Sequence, residues 1–202
     1  MKNLIFDLDG TLWDSTKQIE IVWKKVSKQF NINTSNISIK SIMGMTNDEI
    51  IATLFSKDSK LGTAFIEKSQ LEEVKYLSKY GGNIYPNTIS TITQLKNNYN
   101  LYIVSNCQIG YIESFINYYK LQSLFKDFEC SGNTNLPKSN NINILMKRNN
   151  ISTAIYIGDT ENDYKAAKEA NISFIWASYG FGNCKKYDYK ICDIKDLLDF
   201  NL

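Results

Sequence analysis

The sequence predicts an α/β protein: a parallel sheet covered by helices on both faces, with a helical segment inserted after the first strand. Beyond residue 82, short apolar runs alternate with amphipathic helical patterns, which is typical of a parallel sheet. Between residues 15 and 80, apolar residues recur at helical spacing and no clear strand is present. The chain has 202 residues, enough for one core with a small accessory domain.

The first predicted strand is Leu4-Ile5-Phe6, an apolar run that leads into Asp7 and is bounded by Gly10. Three helices are predicted to follow. Their signals are amphipathic spacing over 15–30, a capping box of Thr46 with Glu49, and amphipathic spacing over 65–80. Gly81-Gly82 breaks the last pattern.

The remaining elements alternate between strands and helices. In chain order they are a helix after Asn87, a strand at 101–104, a helix at 109–119, a weaker strand at 128–130, a helix around 142–146, a strand at 154–157, a helix at 164–170 and a strand at 173–176.

Composition excludes several functional classes. The formal net charge of +2, from 23 basic and 21 acidic residues, gives no electrostatic reason to expect nucleic acid or an acidic membrane surface as a partner. The N-terminus does not resemble a signal peptide, and no apolar run is long enough to span a membrane. We therefore expect a cytoplasmic protein.

Histidine is absent from the chain, which excludes Ser-His-Asp triads and His-ligated zinc. The single arginine, Arg148, does not follow a cysteine at the spacing that cysteine-nucleophile phosphatases need. The four cysteines form no Cys-x-x-Cys pair, and we expect reduced, mostly buried thiols. Phosphate chemistry would therefore depend on carboxylates, a metal, hydroxyls, main-chain N–H groups and lysine.

Polar side chains follow three of the predicted strands. They are Asp7 and Asp9 after the first strand, Ser105 and Asn106 after the strand at 101–104, and Asp159 after the strand at 154–157. Ligands of open α/β sheets bind beside the carboxyl ends of the strands, so these side chains are expected to meet. Simpler readings exist for each: turn chemistry for the first pair, a helix N-cap for Ser105-Asn106 and an acidic helix N-terminus after Asp159.

The acidic residues suit phosphoryl transfer. The Asp7 carboxylate can attack phosphorus to form an aspartyl-phosphate, and a cation must then bridge two anionic partners. Mg²⁺ prefers oxygen ligands and takes few protein carboxylates, for which Asp7 and Asp159 are the candidates. Asp9 is placed to protonate the leaving alcohol and to activate water, while its main-chain carbonyl remains available to the metal.

The sequence resembles the haloacid dehalogenase superfamily over essentially its whole length. Four motifs stand in the order of that family: 6–11 (Phe-Asp-Leu-Asp-Gly-Thr), 105–106 (Ser-Asn), Lys138, and 158–163 with Asp159 and Asp163. The resemblance implies a Rossmann-like three-layer core. In the third motif, Pro137 precedes Lys138 in a polar loop, whereas a proline usually follows the lysine in the similar branch.

The resemblance also implies roles for individual residues. Asp7 would be the nucleophile and Asp9 the general acid/base, while Lys138 would neutralise charge near Asp7. Asp163 would lie near the magnesium that Asp159 ligates, as a ligand or in the outer shell. The residues implied to hold the phosphoryl group are Thr11, Ser105 and Asn106.

The helical segment resembles the C1 cap of the phosphoglycolate phosphatase and β-phosphoglucomutase branch. The implied domains are a catalytic core of residues 1–14 and 84–202 and a helical cap of residues 15–83. Gly44 and Met45 resemble the cap loop that faces the substrate, and 179–182 resembles a glycine-containing loop of that branch. Junctions near 14–15 and 81–82 would act as hinges.

These observations together predict a Mg²⁺-dependent phosphatase of a small phosphorylated metabolite, acting as a monomer. The alternatives are a phosphomutase of the β-phosphoglucomutase type and a non-catalytic binding protein on the same fold. Similar mutases use a cap histidine and arginine, which this chain lacks in that segment. Similar dehalogenases lack the second aspartate, because their reaction produces no alkoxide that needs a proton. The presence of Asp9 therefore argues against dehalogenation. The single arginine also argues against a substrate whose second anionic group needs an arginine fork.

Overall fold

The computed structural model describes residues 2–200; residue 1 and residues 201–202, the outer limits of the predicted core, lie outside this range. The strands in chain order are β1 (Lys2–Phe6), β2 (Trp13–Asp14), β3 (Asn83–Ile84), β4 (Tyr99–Ser105), β5 (Phe125–Cys130), β6 (Ile155–Gly158), β7 (Ser173–Ala177) and β8 (Tyr189–Ile191). The helices are α1 (Thr16–Phe30), α2 (Asn47–Leu54), α3 (Ser59–Tyr80), α4 (Thr88–Leu95), α5 (Tyr111–Tyr118), α6 (Ser131–Thr134), α7 (Lys138–Arg148) and α8 (Glu161–Glu169). Two 3₁₀ turns, Ile39–Ser41 and Ile194–Leu198, complete the set.

Six strands form one parallel sheet in the order β5-β4-β1-β6-β7-β8. Strand β1 lies between β4 and β6, with Phe6 in register with Ile103 on one side and Ile157 on the other. The predicted parallel α/β sheet is confirmed. The polar segments after β1, β4 and β6 consequently belong to three adjacent strands.

The side chains of β1 alternate between two buried layers, as the period of a strand requires. Leu4 and Phe6 join the apolar cluster on one face of the sheet, which includes residues of α4 and α5. Ile5 joins a separate cluster on the opposite face, which includes residues of α7 and α8. All three side chains are fully buried, which explains the unbroken apolar run in the sequence.

Helices α1, α2 and α3 lie between β2 and β3 in the chain, and we call residues 15–83 the helical insertion. β2 and β3 pair as a short antiparallel ribbon, with Trp13 opposite Ile84. Inside the insertion, the Phe65 ring packs edge-on against Trp23, with ring centroids 5.1 Å apart. The insertion therefore contains aromatic packing of its own. The paired strands β2 and β3 connect it to the rest of the chain.

Several elements differ from the sequence prediction: β2, β3 and the short helix α6 were not predicted, and α3 and β8 differ as follows. Helix α3 begins at Ser59 rather than Phe65, because Asp58 caps it by accepting a hydrogen bond from the Leu61 N–H. Strand β8 was not predicted, since its three residues at the sheet edge include only one buried side chain and show no apolar run. Within residues 2–200, none of the helices combines the length and apolar character that a membrane span requires.

Candidate active site

The carboxyl edge of the sheet brings together the polar residues that follow β1, β4 and β6. Asp7, Asp9, Ser105 and Asp159 are all nearly or fully buried there, although their side chains are polar or ionisable. Burial of carboxylates is costly unless charges or hydrogen bonds compensate for it. The partners of each carboxylate therefore indicate what the site is built to hold.

Three carboxylates form an acidic cluster. Asp7, Asp159 and Asp163 each offer one oxygen, and these oxygens all lie within 4.8 Å of one another. The Lys138 Nζ lies 3.0 Å from Asp7 Oδ1 and 2.6 Å from Asp163 Oδ1. Two of the three carboxylates, Asp7 and Asp163, thus contact one ammonium group, and Asp159 does not. This leaves a deficit of positive charge at the carboxyl edge of the sheet.

Lys138 is not in a polar loop, as the sequence suggested, but is the first residue of helix α7. The helix begins there because Pro137 accepts the first helical hydrogen bond, from the Asn141 N–H. Lys138 is only 5% exposed. Burial opposes its charge, but Asp163 and Asp7 together hold the pKa of the ammonium group well above its usual value. It is a fixed cation rather than a solvated surface lysine.

Both oxygens of Asp163 have donors. Oδ1 accepts from Lys138, and Oδ2 accepts from the Asp159 N–H, the Thr160 N–H and the Thr160 hydroxyl. Thr160 and Asp163 form a capping box at the start of α8. Asp163 therefore caps the N-terminus of α8 and is also a member of the acidic cluster.

Asp159 has one satisfied oxygen and one unsatisfied oxygen. Its Oδ2 accepts hydrogen bonds from the N–H groups of Phe181 (2.7 Å) and Gly182 (3.2 Å). Its Oδ1 is buried without a partner among the described residues. Burial, followed by repulsion from Asp163 and Asp7, raises its pKa well above the usual value. A divalent cation would satisfy the orphaned oxygen and offset the excess negative charge, so the donor set fits such an ion.

Gly10 is required by this arrangement. Its φ of +80° favours glycine, and a Cβ there would lie 2.3 Å from Asp159 Oδ2. The glycine of the first motif therefore allows the turn after β1 to approach the carboxylate after β6.

The Asp9 carboxylate lies outside the acidic cluster. Its Oδ1 accepts hydrogen bonds from the Ser15 hydroxyl (2.7 Å) and the Tyr111 hydroxyl (3.0 Å), and these two hydroxyls lie 2.6 Å apart. Burial raises the pKa of Asp9 to about 7, against the effect of the Ser15 hydrogen bond. Burial also raises the pKa of Asp7, to about 6, with Lys138 acting in the opposite direction. The two carboxylates thus have separate environments.

Ser15 and Tyr111 were not singled out from the sequence. Ser15 directly precedes α1 and Tyr111 opens α5, so they are 96 residues apart and meet only in the folded chain. In the sequence, both residues are marked only by their position at the start of a predicted helix. Many polar residues occupy such positions, so this feature does not identify a partner for Asp9.

A pocket that opens to solvent lies between this edge and the helical insertion. The predicted residues that line it are Asp7, Asp9, Ser105, Asn106, Gly44 and Met45. The Asn106 side-chain amide donates to the Gly44 carbonyl over 3.0 Å, which joins the insertion to the sheet edge. The pocket is therefore bounded by both the sheet edge and the helical insertion.

Thr11 does not lie with these residues. It is fully buried, it does not line the pocket, and within residues 2–200 its hydroxyl has no hydrogen-bond partner. Its carbonyl accepts a hydrogen bond from the Tyr179 hydroxyl. The expected contact of Thr11 with a phosphoryl group is not supported by this position, because the residue packs inside the turn after β1.

Residues 4–177 match the family of haloacid dehalogenase-like hydrolases. The chain belongs to this family. A curated relative, the pyrophosphatase PpaX of Oceanobacillus iheyensis, is 24% identical over 98% of this chain and 95% of its own length. A phosphoglycolate phosphatase of Vibrio cholerae is 21% identical over 91% and 87% of the two chains.

Solved structures of haloacid dehalogenase-like proteins share the fold. A crystal structure described as that of a phosphoglycolate phosphatase from Lactobacillus plantarum superposes with a TM-score of 0.86 at 21% identity, covering 98% of this chain and 99% of the other. The family match and the curated relatives establish that this haloacid dehalogenase-like chain is a phosphatase.

Proposed function

We propose that this protein is a Mg²⁺-dependent phosphatase that hydrolyses a small phosphate monoester through an aspartyl-phosphate on Asp7. The observation that carries the proposal is the separation of two carboxylates that line one pocket. Asp7 belongs to the acidic cluster beside Lys138, whereas Asp9 is held by two hydroxyls. One carboxylate is thus placed for attack and the other for proton transfer.

Asp9 acts as the general acid/base. Its pKa of about 7, raised by burial, lets it give a proton to the leaving alcohol oxygen in the first half-reaction and take a proton from the attacking water in the second. The hydroxyls of Ser15 and Tyr111 orient its carboxylate. Ser105 and Asn106 bind the transferring phosphoryl group at the pocket floor, and Lys138 balances charge on Asp7.

Asp7 and Asp159 would hold the magnesium ion, with the main-chain carbonyl of Asp9, while Asp163 orients Lys138 and the start of α8 from the outer shell. The saturation of both Asp163 oxygens by other donors supports this division. When bound, Mg²⁺ supplies positive charge that reduces repulsion between the Asp7 carboxylate and a phosphate dianion.

The helical insertion, residues 15–83, is proposed to be a cap over the core formed by residues 1–14 and 84–202. The β2–β3 ribbon, which flanks the predicted hinges at 14–15 and 81–82, supports this division. The substrate is a small phosphorylated metabolite, as the names of the phosphatase relatives suggest.

The test is hydrolysis of p-nitrophenyl phosphate by the purified protein with Mg²⁺, with EDTA and after Asp7→Asn. We expect EDTA to abolish phosphate release and the substitution to reduce kcat by at least about 10³-fold, because no other nucleophile replaces Asp7. Circular dichroism of both proteins controls for folding. Activity that survives both treatments would contradict the mechanism.

A further inference from the structure

The pocket has two chemically different ends. One end holds the carboxylates of Asp7 and Asp9 at the carboxyl edge of the sheet. The other end lies in the helical insertion, and five isoleucines of that segment line it: Ile19, Ile39, Ile42, Ile50 and Ile66. A phosphate ester bound at Asp7 would therefore direct its alcohol part toward a largely apolar wall.

The charged residues that line this pocket are all acidic. They are Asp7, Asp9 and Glu73, and no lysine or arginine of the described residues lines it. Lys138 lies behind Asp7, where its Nζ is engaged by Asp7 and Asp163. A second anionic group on a ligand would therefore meet no cation at the insertion end.

Glu73, on helix α3, is only 6% exposed. Its Oε1 accepts a hydrogen bond from the Trp23 indole (2.7 Å), and its Oε2 accepts one from the Gln108 amide (2.8 Å). Two acceptor oxygens match an ionised carboxylate. Burial raises the pKa of Glu73, and the two hydrogen bonds act in the opposite direction.

No cationic side chain within residues 2–200 forms an ion pair with Glu73. Its neighbour Glu72 contrasts with it, since that carboxylate faces Lys25, Lys68 and Lys75 on the surface. Glu73 is thus an unpaired buried carboxylate that borders the substrate pocket. An anion placed next to it would lose solvation and gain repulsion.

Resting on the proposed phosphatase function, we propose that Glu73 is a specificity-determining residue that excludes esters with a second anionic group. The substrate class is then a phosphate monoester whose alcohol part is small, largely apolar and free of carboxylate or further phosphate. Phosphoglycolate carries a carboxylate two bonds from its ester oxygen, and it is a poor substrate on this argument.

Three esters of similar size isolate the charge of the alcohol part: phosphoglycolate, 2-hydroxyethyl phosphate and O-phosphoethanolamine. Their distal groups are anionic, neutral and cationic. The kcat/KM of each is measured with Mg²⁺ at mildly alkaline pH, which favours the ionised form of Glu73. We expect phosphoglycolate to be hydrolysed at least about tenfold less efficiently than 2-hydroxyethyl phosphate.

The decisive variant is Glu73→Gln, which keeps the shape of the side chain and an acceptor for Trp23, while the Gln108 amide can turn to accept from the new amide. We expect the ratio of kcat/KM for phosphoglycolate over 2-hydroxyethyl phosphate to rise about tenfold. Glu72→Gln is the matched control, because it removes a carboxylate one residue away outside the pocket lining. Its ratio should stay within about twofold of the unmodified protein.

The outcomes separate the two proposals. Preference for phosphoglycolate, or a Glu73→Gln ratio equal to that of Glu72→Gln, overturns the role of Glu73 and leaves the phosphatase proposal intact. Absence of hydrolysis for all three esters and for p-nitrophenyl phosphate overturns the proposed function, and the inference about Glu73 fails with it.

Discussion

The two ends of the pocket contain buried carboxylates in opposite settings. At the sheet edge, Lys138 contacts Asp7 and Asp163, and main-chain N–H groups donate hydrogen bonds to Asp159. At the insertion end, Glu73 has only neutral donors and lies in a pocket walled by isoleucines. In the proposed function, the charges at the sheet edge serve the chemistry, whereas the Glu73 carboxylate in the insertion selects the alcohol part of the ester.

The largest effect on stability is expected where charge dominates. Lys138→Met keeps chain length but leaves Asp7 and Asp163 buried without their cation, which should lower the free energy of unfolding by about 3–5 kcal/mol. The measurement is urea denaturation in EDTA. Lys168→Met is the control: its ion pair with Asp188 is exposed and should cost less than about 1 kcal/mol. Equal losses would show that the acidic cluster does not depend on Lys138.

A decrease of similar size in the free energy of unfolding is expected for a substitution in the insertion, but for a different reason. Phe65→Ala removes a fully buried ring that packs on Trp23, Phe30 and Phe55, which should cost about 3–4 kcal/mol. Because volume rather than charge matters there, Phe65→Leu should recover more than half of the loss in the same denaturation experiment. A leucine variant as unstable as the alanine variant would argue against simple packing.

A smaller, reaction-specific effect is expected at Asp9. Asp9→Asn should reduce kcat about 10²-fold for an alkyl phosphate, since the alkoxide then leaves unprotonated. The loss should be much smaller for p-nitrophenyl phosphate, whose leaving group needs little protonation. Both rates come from a phosphate-release assay. Equal losses for the two esters would remove the acid role from Asp9.

The smallest effect is expected at the residues that orient Asp9. Tyr111→Phe deletes one hydrogen bond to Asp9, which is worth about 1 kcal/mol or a few-fold in rate for the alkyl ester. Tyr119→Phe is the control, because its hydroxyl donates to the Gly82 carbonyl and has no contact with Asp9. If both variants change the ratio of alkyl to aryl hydrolysis equally, Tyr111 does not position the acid.

Much of the fold was predictable because its strands carry a local signal. The buried run of β1 and the polar residues after β1, β4 and β6 follow from apolar continuity and chain order alone. Strand β8 and the early start of α3 were missed, since an edge strand with one buried residue and a helix opened by an aspartate cap lack apolar periodicity.

The residue types of the proposed chemistry are visible in the amino-acid sequence: Asp7, Asp9 and Asp159 follow strands, and Gly10 lies in the turn directly after Asp9. The partners of these residues become visible in the folded chain. Folding buries Lys138 between two carboxylates, joins Ser15 and Tyr111 at Asp9, and places Glu73 against the pocket. The reason is physical: strand ends and turns depend on neighbouring residues, whereas the partner of a buried charge depends on segments brought together from distant parts of the chain.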